Sequence, residues 1–366
     1  MGDTADAYSA IAQRGLTRMY DPRLQEFPQT ARGVAGSGLA MEGSSVRYTA
    51  IAALGIARLE DAQQREILAG ATASDLVGAV MSRALAGVDP GAIALATWLA
   101  AELAVVDEAA RGVQRIVELV GAGTAIPTVD QSWMLTALVE YGLSAQLRPV
   151  CSELVDRLLR HQAAGGIFPH VLPPGQQHRL RAHVGCFADQ VYPIQALARY
   201  AAVSGDPRAL AAANLCAARI CELQGPAGQW WWHYDARTSE VIEGYPVYSV
   251  HQHAMAPMAL FDLYESGGDN HLSAVARGLD WVADHPELPE PLVAPELGVI
   301  WRKIGRREPP KAMRSLRSVT TAIRPGLRLK ALDLVFPPAR IDLECRPYEL
   351  GWLVYAWART PRHGRL

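Results

Sequence analysis

Cysteine is scarce and scattered in this chain, phenylalanine is no commoner, and no apolar run is long enough to cross a bilayer. Each shortage excludes something. The five cysteines (Cys151, Cys186, Cys216, Cys221 and Cys345) are odd in number and follow no paired spacing, so buried free thiols are expected rather than a disulfide framework. No Cys-x-x-Cys or His-Glu-x-x-His occurs, and no metal site is expected. A net charge of -2 gives no general reason to expect a nucleic-acid partner. The opening residues Met1-Gly2-Asp3-Thr4-Ala5-Asp6 lack the basic-then-apolar order of a secretory signal, so the expectation is a soluble, cytoplasmic protein.

What the chain has is alanine and leucine, in stretches punctuated by glycine and proline. That composition predicts a nearly all-α chain. Six segments read as helices apolar on all sides: 47–59, 89–103, 130–141, 189–203, 248–264 and 346–358. Segments 107–120, 145–161, 206–223 and 270–283 carry charge on one face and belong outside. Asp89-Pro90 and Asp206-Pro207 each place an N-cap acceptor before a proline suited to the first helical position.

A turn of the form Gln-x-x-x-Gly-x-aromatic occurs twice, as Gln162, Gly166 and Phe168 and as Gln224, Gly228 and Trp230. Glutamine to glutamine is 62 residues (224 minus 162), the length of two helices and their connections. Alternating inner and outer helices at this period predict one closed (α/α)6 toroid over residues 1–366, since closure buries the ends that an open solenoid must cap. The inner helix starts would then converge on one mouth, where free N–H groups and helix dipoles favour anions.

The paired turns resemble the QW turns of the terpenoid cyclase and protein prenyltransferase superfamily. Pro127-Thr128-Val129-Asp130-Gln131-Ser132-Trp133 resembles a degraded Asp-x-Asp-Asp-Thr motif of class II terpene cyclases. The resemblance implies a toroid that processes an isoprenoid, with Asp130 as the acid that protonates an alkene. Thr128 and Gln131 stand where two acidic companions would be. Asp130 before an apolar helix also reads as an ordinary N-cap.

The inner helix starts supply the other candidates. Asp189, Glu349 and Asp130 could act as acid or base once desolvated, with Tyr248 beside them and His251 as a proton shuttle near neutral pH. Trp133, Tyr192, Trp231, Trp232, Tyr245, Gln252, Arg346 and Tyr348 are candidate binding residues, because ring clusters at a mouth stack on sugars or stabilise cations. The same residues also read as caps and core packing. A segment expected to be an insertion, residues 302–343, holds ten Lys or Arg and one acid, Glu308, between Arg302 and Lys330. It predicts an anion site through Arg306 and Arg307, or a contact with an anionic membrane surface.

Three readings follow. The first is an isoprenoid-processing, isomerase-like enzyme acting on a prenyl or prenyl-diphosphate substrate; no cofactor is required, though a diphosphate would bring Mg2+. The second is a carbohydrate-active lyase, epimerase or hydrolase acting on an intracellular anionic or lipid-linked glycan. The third is a non-enzymatic scaffold that docks through the basic segment.

Overall fold

The computed structural model describes residues 1–34, 38–308, 312–327 and 331–358. The outer helices are Gly2–Met19, Ala73–Ala86, Val106–Gly121, Arg148–His161, Pro207–Glu222 and Leu272–Ala283. The inner helices are Val46–Ile56, Pro90–Glu102, Thr128–Tyr141, Ala188–Ser204, Ala256–Glu265 and Pro347–Trp357, the fifth preceded by a π-helical turn, His251–Met255. Each inner helix packs against the next, and the sixth packs against the first. The chain is the (α/α)6 toroid that its periodicity predicts.

Sequence accounts for the two rings. In the second inner helix every residue from Gly91 to Ala100 is buried, which only an all-round apolar helix tolerates. The outer helix Val106–Gly121 buries Ala109, Gly112, Val113, Ile116 and Val120, a stripe at helical spacing. Where the ring closes, Gly55 and Gly351 bring two backbones together: a Cβ on Gly55 would lie 2.2 Å from the carbonyl oxygen of Gly351. The caps form as expected, Asp89 accepting from the Gly91 N–H and Asp206 from the Arg208 N–H. Two outer helices, Gly2–Met19 and Ala73–Ala86, complete the ring beyond the four amphipathic segments read from the sequence.

The two glutamine turns have one geometry. Nε2 of Gln162 donates to the carbonyls of Gly166 and Ala212 at 3.0 and 2.9 Å, and Nε2 of Gln224 to those of Gly228 and Ala274 at 2.8 and 2.9 Å. Both glutamines thus bind their own turn and the next outer helix. The backbone N–H groups of Phe168 and Trp230 donate to Oε1 of Gln190, in the first turn of the fourth inner helix, and of Gln252, in the π-helical turn that leads into the fifth. Gly166 and Gly228 have φ of 92° and 96°, and a Cβ on either would meet the backbone of the outer helix at Leu215 or Arg277.

Short strands precede the inner helices and wall the mouth. Val184–Cys186 pairs with His233–Asp235, which pairs with Glu240–Glu243. Val247–Tyr248 pairs with Lys303–Arg306, which pairs with Pro338–Asp342. The helix Ala312–Ile323 lies on the Glu240–Glu243 strand and holds it through Arg317.

Candidate functional site at the mouth of the inner ring

Three inner helix starts are tied together by one arginine. Nη1 and Nη2 of Arg47 donate to Oδ1 and Oδ2 of Asp130 at 2.8 and 2.9 Å, and Nε donates to Oδ2 of Asp89 at 2.7 Å. Asp130 is 2% exposed. Burial pushes its carboxyl above the ordinary range, and Arg47 opposes that rise. The Arg47 guanidinium lies over the Trp133 ring, and Trp133 meets Tyr192 edge to face. The Tyr192 hydroxyl accepts from Nε1 of Trp352 at 2.8 Å.

Beside this group, Nδ1 of His170 lies 3.1 and 3.2 Å from the carboxylate oxygens of Asp189, which holds the imidazole pKa above its ordinary value. Oδ2 of Asp189 also accepts the backbone N–H of Cys186 at 2.7 Å. Trp232, Tyr248 and His251 form a stack next to them, with Trp232 4.5 Å from Tyr248 and parallel to His251 within 5°. Burial drives the His251 pKa down to about 3, so it is a neutral packed ring near neutral pH, where the sequence reading makes it a proton shuttle. His253 is equally buried, and its carbonyl, which Pro257 cannot serve, accepts from Nε1 of Trp357 at 2.7 Å.

The sixth inner helix adds Arg346, whose Nη1 donates to the Tyr48 hydroxyl at 2.7 Å, and Tyr348, whose ring lies 4.6 Å from that of Tyr48. Glu349 is buried; it accepts the Arg346 N–H at 3.0 Å and Nε of Arg302 at 3.2 Å, which makes it a capping carboxylate inside an ion pair. Gln252 is spent on the Trp230 turn.

Trp231, Tyr245 and Arg306 stand elsewhere, on an open pocket of about 860 Å³. There the Tyr245 hydroxyl donates to Glu287 at 2.7 Å. Arg306 is buried and paired with Glu243 and Asp333, and Arg317 pairs with the same two acids. Arg307 is exposed and donates to the Ala339 carbonyl. Residues 302–343 thus do not present the open basic surface read from the sequence, because Glu243, outside the segment, and Asp333 within it neutralise two of the arginines. Lys311, Arg328 and Lys330 lie outside the described residues.

Several residues of the mouth are absent from the sequence reading. Arg47 is a lone charge in the first turn of an apolar helix, and Asp89 reads only as a cap. His170 follows the turn aromatic Phe168 by two residues, as Trp232 follows Trp230. On the rim, Arg181 and Arg314 have no acidic partner among the described residues; both raise the positive potential at His233, and Arg314 lies over the Trp232 ring.

Among the described residues no helix is long and apolar enough to cross a membrane. The sequence matches no protein-family model and no curated protein. In structure the chain is similar to an unsaturated glucuronyl hydrolase specific for heparin, with 12% identity and a TM-score of 0.63 over 98% of this chain and 96% of that one. It is also similar to a possible member of the GH105 family from Klebsiella pneumoniae subsp. pneumoniae, with 8% identity and a TM-score of 0.60 over 98% and 93%. A third likeness is to a glycosidase, with 12% identity and a TM-score of 0.56 over 97% of each chain. These likenesses bear on the fold, and they correct the resemblance to terpenoid cyclases and prenyltransferases: the three toroids just named, each matched over nearly its whole length, carry glycosidase names. The isoprenoid reading, its lipid-like substrate and the membrane contact fall with it, since the mouth is lined by ion pairs and the arginines expected to hold a diphosphate are partly neutralised.

Proposed function

We propose that the chain is a carbohydrate-active enzyme that hydrolyses an anionic glycan at the mouth of its inner ring, with Asp130 as the proton donor. The observation that carries this reading is a buried carboxyl set among rings with unused hydrogen-bond donors, below a rim of unpaired cations. Asp130 sits under Arg47 and Trp133. The indole N–H groups of Trp133 and Trp232 are buried without a hydrogen-bond partner among the described residues. A sugar hydroxyl would satisfy them where a hydrocarbon would leave them stranded. Arg181 and Arg314 suit a sugar carboxylate.

In this reading hydroxyls of the sugar accept from the Trp133 and Trp232 indoles, and its carboxylate meets the rim arginines. Asp130 protonates the reacting sugar, and Arg47 stabilises the carboxylate left behind. Asp89, on the same guanidinium, is the second carboxylate available to order a water. The similar toroids named for glucuronyl hydrolysis make oligosaccharides ending in an unsaturated uronate the first substrates to try.

The experiment is a panel of such oligosaccharides, their saturated counterparts and neutral sugars of the same length, followed by reducing-end release. Turnover confined to the carboxylated members, and lost in Asp130→Asn, is the expected outcome. Absence of both turnover and binding for every carboxylated member would overturn the reading.

A further inference from the structure

His170, Cys186 and Asp189 reach one point from three segments: the loop after a glutamine turn, the end of the strand Val184–Cys186, and the first turn of the fourth inner helix. Their donor atoms, an imidazole nitrogen, a thiol sulfur and a carboxylate oxygen, all lie within 4.8 Å of one another. Two ligands of a tetrahedral zinc ion, each about 2.0–2.1 Å from it, stand roughly 3.3 Å apart. The 3.1 and 3.2 Å separations of His170 and Asp189 are already close to that spacing. A thiolate at about 2.3 Å would take a third corner.

The donors are held by their surroundings. The Asp189 carboxylate is fixed by the Cys186 N–H at 2.7 Å, and the Cys186 carbonyl accepts from Nε2 of Gln190 at 3.0 Å. The His170 carbonyl accepts the Thr128 N–H at 2.9 Å, and its own N–H donates to Val184 at 3.2 Å. The imidazole side chain is 45% exposed, which leaves an approach from the mouth.

The internal repeat isolates what is unusual here. Moving 62 residues along the chain, the offset between Gln162 and Gln224, takes His170 to Trp232, Cys186 to Tyr248 and Asp189 to His251. There Trp232 stacks on both Tyr248 and His251, which meet each other at a 34° tilt. One repeat therefore fills this place with packed rings, and the other fills it with three metal-type donors. Across the antiparallel ladder His233 stands opposite Cys186 and is buried, with no hydrogen-bond partner for Nδ1 among the described residues.

We propose that His170, Cys186 and Asp189 bind one divalent ion of the zinc class, its remaining coordination position opening on the mouth. Nitrogen, sulfur and carboxylate oxygen are the donor set that zinc takes, and three protein ligands are the number that leaves a position open. Binding releases the thiol proton to solvent, and the dication offsets the thiolate and carboxylate charges. The proposal goes beyond the glycan reading and does not depend on it; next to Asp130 the ion would serve as a Lewis acid toward a water or a sugar carboxylate.

The test uses the full chain after dialysis against a chelator, titrated with Zn2+ by calorimetry and with Co2+ by absorption. One ion per chain and a thiolate-to-cobalt charge-transfer band are expected. Cys186→Ser should abolish the band and weaken binding at least about 100-fold, beyond what losing an outer-shell partner costs, and Asp189→Asn should weaken it as well. Cys221→Ser should leave both signals intact. Failure to bind one equivalent, or a band and affinity unchanged in Cys186→Ser, would overturn the site and leave a His–Asp ion pair beside a thiol. Should Cys186→Ser not fold, the cobalt band of the unaltered chain still decides, because only a thiolate ligand produces it, and its absence would overturn the site. No substrate enters these titrations, so their failure is separate from failure of the oligosaccharide assay.

Discussion

Arg47 donates to Asp130 at 2.8 Å while also holding Asp89 at 2.7 Å, so one side chain of the first inner helix fixes the carboxylates that open the second and third. Asp130→Asn is expected to abolish turnover of a carboxylated oligosaccharide with little change in stability, since asparagine keeps the shape. Arg47→Met leaves the Asp130 carboxyl buried without its counter-charge. Arg47 is 30% exposed, so the expected cost is about 1–3 kcal/mol in urea denaturation, below that of a fully buried pair. The double variant should recover part of that loss. Equal costs for Arg47→Met alone and in the Asp130→Asn background would show that the two side chains are not coupled.

The glutamine turns should behave as braces. Trp230 is wholly buried, and Trp230→Ala is expected to cost about 3–5 kcal/mol. Gln224→Ala removes the Nε2 bonds to Gly228 in the turn and Ala274 in the outer helix, and the two that Oε1 accepts from Arg277, a loss of about 1–3 kcal/mol. Denaturant midpoints equal to the parent's in both variants would refute the bracing role.

These turns made the fold legible, because a glutamine, a glycine at positive φ and a buried aromatic are each required by local geometry and so recur in sequence. The site was less legible. Asp130 stood out as an acid before an apolar helix, yet its partner Arg47 lies 83 residues earlier, on the first inner helix, and only the convergence of the inner helix starts brings the first and third together. His170, Cys186 and Asp189 hid for a related reason: Cys186 and Asp189 form only a Cys-x-x-Asp pair, His170 stands 16 residues before Cys186 (186 minus 170), and a loop, a strand and a helix are needed to collect them. The signal was the 62-residue offset, which sets these donors against Trp232, Tyr248 and His251. The basic segment misled because charge counted along a chain omits Glu243, an acid from another strand buried beneath it.

Glu243 is therefore expected to help hold the 303–342 segment in place. It is buried, and Arg306 and Arg317 converge on it at 3.1 and 2.8 Å. Glu243→Gln leaves two buried guanidinium groups sharing Asp333, and about 3–5 kcal/mol of destabilisation is expected. The loss should appear first as local release: protease should cut within residues 303–342 of the variant before the helical circular dichroism falls. Cleavage no faster than in the parent would show that the ion cluster does not hold the segment in place.

His253 carries the sharpest pH prediction. Burial pushes its pKa and that of His251 down to about 3, whereas an unfolded histidine titrates near 6.5. Between those values the unfolded chain takes up protons that the folded chain refuses, so the stability contribution is full above about pH 6.5 and falls as the pH drops. At about 1.4 kcal/mol per pH unit, each histidine accounts for about 2 kcal/mol lost by pH 5. Neither ring nitrogen of His253 has a hydrogen-bond partner among the described residues, so His253→Leu should hold stability near the parent's at pH 7.5 and lose about 2 kcal/mol less on going to pH 5. Urea denaturation at the two pH values measures both. If the variant lost as much stability as the parent between them, the π-helical turn would be admitting the proton, and His253 would not be the buried neutral ring described here.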